Sequence, residues 1–257
     1  MDKKRICIDV QMFPLKLREL IGINNVYDSS CHSTSTVYYV DNGYYIKVDE
    51  KYSLKKEANL NRLMYKCGMG VEVINYTSED KDYLITKEAV GKDLTNCLSN
   101  PEQVCYILAT ALRKLHSKPI EGFPISSRYQ RYVELLELNF EDCYYDESVL
   151  MNRYMIHSKE EALLIVKENY KSIVADTLIH GDACLPNIIE SNNEFSSFID
   201  FSMSGIGSKY IDLYWAIWSL QYNFKTDQYI DLFLDVYGRE NLNEKLLRVI
   251  AAFELLG

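Results

Sequence analysis

Asp182, Asn187 and Asp200 are the residues whose types and spacing most clearly suggest chemistry. The first two lie in Leu178-Ile179-His180-Gly181-Asp182-Ala183-Cys184-Leu185-Pro186-Asn187-Ile188-Ile189, and the third closes Phe198-Ile199-Asp200. Transfer of a phosphoryl group asks little covalent work of a protein. It needs an acceptor hydroxyl aimed in line at the γ-phosphate and cations that offset charge on the group in flight. An Asp fixed in a loop can accept the hydroxyl proton. An Asn and a second Asp can hold Mg²⁺, which prefers oxygen ligands. A lone loop Asp is most often a turn former or a cap. Here, however, the loop is punctuated by Gly181 and Pro186, with one apolar strand leading in and another leading to Asp200.

A second pair lies far upstream. Lys47 falls between Ile46 and Val48 in a strand-like run and points to the opposite face from both. It is either a solvated edge residue or a phosphate anchor. In the helical pattern that begins at Ser53, an inward stripe runs through Leu54, Ala58, Asn61 and Met64, with Glu57 at its border. A carboxylate there needs a partner, because a buried unpaired charge is costly. Lys47 is the candidate.

The elements that must position these residues divide the chain. Thr36–Val40 and Tyr44–Val48 flank Asp41-Asn42-Gly43, a strong hairpin signal. A helix is expected from Ser53 as N-cap to Gly68 as stop, then strands over Val71–Ile74 and Tyr83–Thr86. Beyond Glu88–Gly91 helical spacing dominates: Pro101–His116, then about 128–139, 160–175, 210–222, 226–237 and 241–256. Asn187–Glu190 and Phe195–Asp200 form a short hairpin across Asn192-Asn193. The organisation is therefore a β-rich segment over 1–87, a linker over 88–92 and a helical segment over 93–257. His116 closes an apolar stripe and reads as structural.

The run His180–Ile188 with Phe198-Ile199-Asp200 resembles the catalytic loop and metal-binding segment of the aminoglycoside 3′-phosphotransferases. The resemblance implies an α+β, protein-kinase-like two-lobe fold, with a small antiparallel sheet in the N-lobe and a larger, mainly helical C-lobe. It implies that Asp182 is the catalytic base and that Asn187 and Asp200 bind Mg²⁺, two ions in all. His180 and Asp212 would support the catalytic loop, Asp212 through backbone N–H groups. Lys47 paired with Glu57 resembles the kinase arrangement in which the Lys holds the α- and β-phosphates of ATP or GTP. Ser33 and Thr34 fall in the phosphate-covering position, where a plain Ser/Thr-rich turn is the equal alternative. Backbone groups near Glu88 and Ala89 would meet the purine. On the acceptor side, Glu254, Asp146, Glu147 and the carboxylate at Gly257 are similar to the family's substrate-ammonium ligands, with a solvated acidic loop as the alternative for 146–147. The chain departs from the family pattern at Ser202, Met203, Ser208 and Phe253.

Composition agrees and excludes. The net charge of −9 leaves no basic stripe for nucleic acid and suits a small cationic partner. The seven Cys include no C-x-x-C pair, which argues for free thiols in a reducing cytoplasm over a disulfide framework or zinc site. No apolar run reaches membrane-spanning length, and no long apolar segment follows Met1-Asp2-Lys3-Lys4-Arg5, so neither a membrane span nor a secretory signal is expected. A monomeric, cytoplasmic aminoglycoside kinase is the leading reading. A metabolic kinase of choline, a sugar or an amino-acid hydroxyl is the first alternative, because Tyr144-Tyr145 supplies aromatics for a choline cage. A nucleotide-binding pseudokinase is the other. Retention of Lys47, Glu57, Asp182, Asn187 and Asp200 argues against it.

Overall fold

The computed structural model describes residues 4–30, 35–139 and 142–257. Ser33 and Thr34 lie outside them. The chain divides into two compact units, Met1–Val90 with Ser197–Ser202, and Gly91–Ser196 with Met203–Gly257. The sequence segmentation leaves 197–202 with the helical part; the structure groups these residues, Asp200 among them, with the first unit.

The first unit is a six-stranded sheet with helices against it. Its elements are β1 (Lys4–Ile6), α1 (Leu15–Ile21), β2 (Val26–Asp28), β3 (Thr36–Val40), β4 (Tyr44–Asp49), α2 (Lys55–Lys66), β5 (Val73–Ser78) and β6 (Asp82–Lys87). The order is β1-β2-β3-β4-β6-β5, antiparallel throughout. Phe13, Leu17 and Ile21 pack on Val40, Ile46 and Ile85 to form the core of one sheet face. Leu84, which is Lys47's cross-strand partner, packs on Leu54 and Ala58. Directly opposed residues share a face, so α2 lies on the Lys47 side of the sheet. Ser53 does not cap α2. Its hydroxyl donates to Glu50 O (2.6 Å), and the Leu54 N–H donates instead to Asp82 Oδ2 (2.9 Å).

The second unit holds β7 (Lys92–Asp93), α3 (Pro101–His116), α4 (Ser127–Leu135), α5 (Lys159–Asn169), β8 (Thr177–Ile179), β9 (Ile188–Ser191), β10 (Glu194–Phe198), β11 (Gly205–Gly207), α6 (Lys209–Phe224), α7 (Ile230–Tyr237) and α8 (Glu244–Leu255). The last residues of β10 carry the chain into the first unit. α3 begins where Asn100 accepts from the Gln103 N–H (3.3 Å) with Pro101 at its first position, and it buries Val104, Ile107, Leu108, Ala111, Leu112 and Leu115. α3 packs on α7, and α8 on α5 and α6. Two small sheets, β10-β9-β7 and β11-β8, frame the loop that follows β8. No helix among the described residues is long and apolar enough to cross a membrane.

Candidate active site

β8 ends on the fully buried Leu178 and Ile179 and delivers the chain into the His180–Asn187 loop. Asp212, on the first turn of α6 and wholly buried, organises that loop. Its Oδ2 accepts from the His180 N–H (2.8 Å) and its Oδ1 from the Gly181 N–H (2.7 Å). His116 reaches the same Oδ2 through Nε2 (3.0 Å), while its Nδ1 is hydrogen-bonded to Tyr237 Oη (2.7 Å). The Ser204 hydroxyl donates to His180 O (2.7 Å), and the Leu185 N–H donates to Ser219 Oγ (2.9 Å). Gly181 stands at φ +82°, and a Cβ there would come within 2.3 Å of Met203 O, so no other residue fits this turn.

The loop's product is a fixed carboxylate. The Asp182 N–H donates to His180 Nδ1 (3.3 Å), and Asn187 Nδ2 donates to Asp182 O (3.0 Å) and Oδ2 (2.9 Å). Asn187 Nδ2 is thereby turned on Asp182, and the amide oxygen remains as the acceptor of that side chain. That is the donor a hard cation requires.

In the first unit, Lys47 Nζ lies 3.0 and 2.9 Å from the two carboxylate oxygens of Glu57 and 3.5 Å from Asp200 Oδ1. The side chains of Lys47 and Glu57 are 16% and 8% exposed, that of Asp200 42%. Burial acts to lower the Lys47 pKa, but the facing charges of Glu57 and Asp200 outweigh it and the net shift is upward. The ammonium is therefore secured as a cation. Asp200 adopts φ +60° beyond the end of β10, and its Oδ1 also accepts from Ser202 Oγ (3.1 Å). Of the pair expected to meet the purine, Glu88 commits its N–H to Gly43 O (2.8 Å) and its carboxylate to Tyr39 Oη (3.0 Å), while Ala89 is half-buried. The Glu88 amide is thus taken by the β3–β4 turn rather than offered to a base.

On the acceptor side the structure gathers three of the four expected residues at one end of α8. The Asp146 N–H donates to Leu255 O (2.8 Å), Glu147 follows it exposed, and a Cβ on Gly257 would sit 3.6 Å from that of Tyr144. Glu254 lies deeper than the other three. It is 7% exposed, and it receives Arg128 Nη1 (3.1 Å), Tyr132 Oη (2.5 Å) and Trp215 Nε1 (2.8 Å). Its position inside the helical packing surrounds it with protein donors.

The model of the phosphotransferase enzyme family matches residues 32–248. The chain belongs to that family. This phosphotransferase is 35% identical to the "Probable aminoglycoside 3'-phosphotransferase" of Lactococcus lactis subsp. lactis over 99% of the chain and 98% of the relative. It is 28% identical to the aminoglycoside 3'-phosphotransferase of Niallia circulans over 69% of each. The aminoglycoside phosphotransferase APH(3'')-Id of Streptomyces rimosus shares the fold, with a TM-score of 0.74 at 20% identity over 97% of this chain and 99% of that one. The same enzyme in complex with ADP and streptomycin gives 0.72. The fold of the phosphotransferase is accordingly α+β and kinase-like. Several residues on which the His180–Asn187 loop rests carry no local sequence signal. His116 is a helix-end histidine, Ser204 and Ser219 are ordinary serines, and Arg128 is marked only by Tyr132 one helical turn on.

Proposed function

We propose that this phosphotransferase moves the γ-phosphoryl group of ATP or GTP to a hydroxyl of an aminoglycoside antibiotic, thereby conferring resistance. The observation that carries the reading is the Asp182 carboxylate, aimed by Asn187 on a loop whose amides are held by the buried Asp212. Asp182 takes the proton as the acceptor oxygen bonds to the γ-phosphorus, and the bond from that phosphorus to the bridging oxygen breaks to release the nucleoside diphosphate. Lys47, oriented by Glu57, meets the nucleotide's phosphates, and backbone groups at 88–89 other than the committed Glu88 N–H face the base. Asn187 and Asp200 each present oxygen to Mg²⁺, which, when bound, offsets charge on the phosphoryl group.

The acceptor class is supported by the names of the relatives, by the acidic residues Asp146 and Glu147 beside Gly257, and by the net charge of −9, which favours a polycation. The reading places the enzyme in the cytoplasm, as a monomer. The test is phosphate transfer from ATP or GTP with Mg²⁺ against a panel of aminoglycosides, choline and simple sugars. Transfer to an aminoglycoside is expected, with a loss of about 10²–10⁴-fold in Asp182→Asn. Turnover of choline or a sugar in its place assigns the chain to metabolism. Unchanged turnover in a folded Asp182→Asn removes Asp182 as the base.

A further inference from the structure

The peptide that carries Asp182 is held at both of its polar groups. Its N–H, on Asp182, is engaged by His180 Nδ1, and its carbonyl, on Gly181, accepts from Arg128 Nε (3.1 Å). Gly181 at positive φ has more conformational freedom than any other residue type, so the direction in which Asp182 leaves the backbone depends on what restrains these groups. Arg128 itself is set by three contacts. It reaches Gly181 with Nε, meets Glu254 Oε2 with Nη1 (3.1 Å), and lays its guanidinium over the Trp215 ring (4.6 Å). Its side chain is 13% exposed and that of Glu254 5%. Glu254 Oε1 is in turn fixed by Tyr132 and Trp215. A planar guanidinium with donors on separate edges can bridge a carbonyl and a carboxylate at once, which an ammonium cannot do in this geometry. Burial works against the Arg128 charge, but the charges of Glu254 and Asp182 outweigh it, so the net pKa is raised and the group stays a cation.

We propose that Arg128 is a positioning residue that holds the Gly181–Asp182 peptide in its productive orientation, with Glu254 as its anchor. Glu254 therefore acts on turnover through Arg128, and not as an ammonium ligand for the acceptor. The inference rests on the reading of Asp182 as the base. Its consequence is a division of labour along α8: Glu254 faces inward to the loop, and the acidic residues around Gly257 are left to meet the acceptor.

The experiment is steady-state kinetics with ATP and kanamycin on Arg128→Lys, Glu254→Gln, the double variant Arg128→Met/Glu254→Gln and Asp182→Asn, with a melting temperature for each. Arg128→Lys and Glu254→Gln are each expected to lower kcat at least tenfold while the KM for kanamycin changes less than threefold. The double variant removes both buried charges together, so its melting temperature should recover toward wild type while its kcat stays low. This arm keeps the test decisive if a single variant fails to fold. A tenfold rise in the kanamycin KM of Glu254→Gln at unchanged kcat overturns the proposal, as does a double variant whose kcat recovers along with its melting temperature. Wild-type turnover in Asp182→Asn overturns the reading beneath it, a result separate from either of those.

Discussion

At the scale of single residues, the largely buried cations Lys47 and Arg128 are each opposed by a carboxylate at close range. Lys47 faces a nearly buried Glu57 at 2.9 Å, and removing it strands that carboxylate. Lys47→Ala should cost about 3 kcal/mol of stability, the low end for breaking a buried ion pair. It should also cut kcat/KM for ATP far more than affinity for the aminoglycoside, since in the proposed mechanism the ammonium touches phosphates alone. Urea denaturation and calorimetric titration of the antibiotic read the two effects separately. If antibiotic affinity fell and nucleotide kinetics did not change, Lys47 would need another role. The pairing was legible beforehand because a strand Lys and a helix-border Glu each needed a partner. Glu254 was not legible in the same way. Its type and terminal position suggest an exposed ligand, and only the folded packing of Arg128, Tyr132 and Trp215 turns it inward.

At the scale of elements, the placement of α2 depends on one carboxylate from another strand. Asp82 Oδ2, fully buried, accepts from the Leu54 N–H that opens the helix (2.9 Å) and from Tyr76 Oη (2.9 Å). Burial acts to raise the Asp82 pKa, but the donors around it outweigh that and hold it below 3.8. A depressed carboxylate contributes stability that is complete above its unfolded value and is lost as pH falls through the folded one. Asp82→Asn should therefore lie about 1–3 kcal/mol below wild type at neutral pH. The gap should close as the pH drops below 3.8, which denaturant titrations across pH would follow. A gap that stayed constant into acid would exclude the cap. Local signals set α3 correctly, because Asn100, Pro101 and the apolar stripe are neighbours in sequence. They misplaced the start of α2 at Ser53, because the true cap lies 28 residues downstream. α1, β1 and β2 are too short to show a period in the sequence.

At the scale of the whole molecule, the sequence motif and the kinase-like fold agree because the motif is local and its supports are not. Asp182, Asn187 and Asp200 can be read from one stretch, yet Asp200 belongs to the unit built on the first sheet. The residues that hold Asp182 come from the 116, 128, 204, 212 and 219 positions, spread over three helices and a loop. No periodicity links them. One carboxylate, Asp212, nonetheless gathers two loop amides and the His116 ring in a place no solvent reaches. In solution those amides can trade their hydrogens for deuterium only when α6 leaves β8, which is the cooperative opening of the second unit itself. Backbone positions 180 and 181, although they lie in a loop, should therefore keep their protons as long as the interior of α3 and α6 does, and a native-state exchange experiment should find them among the slowest in the chain.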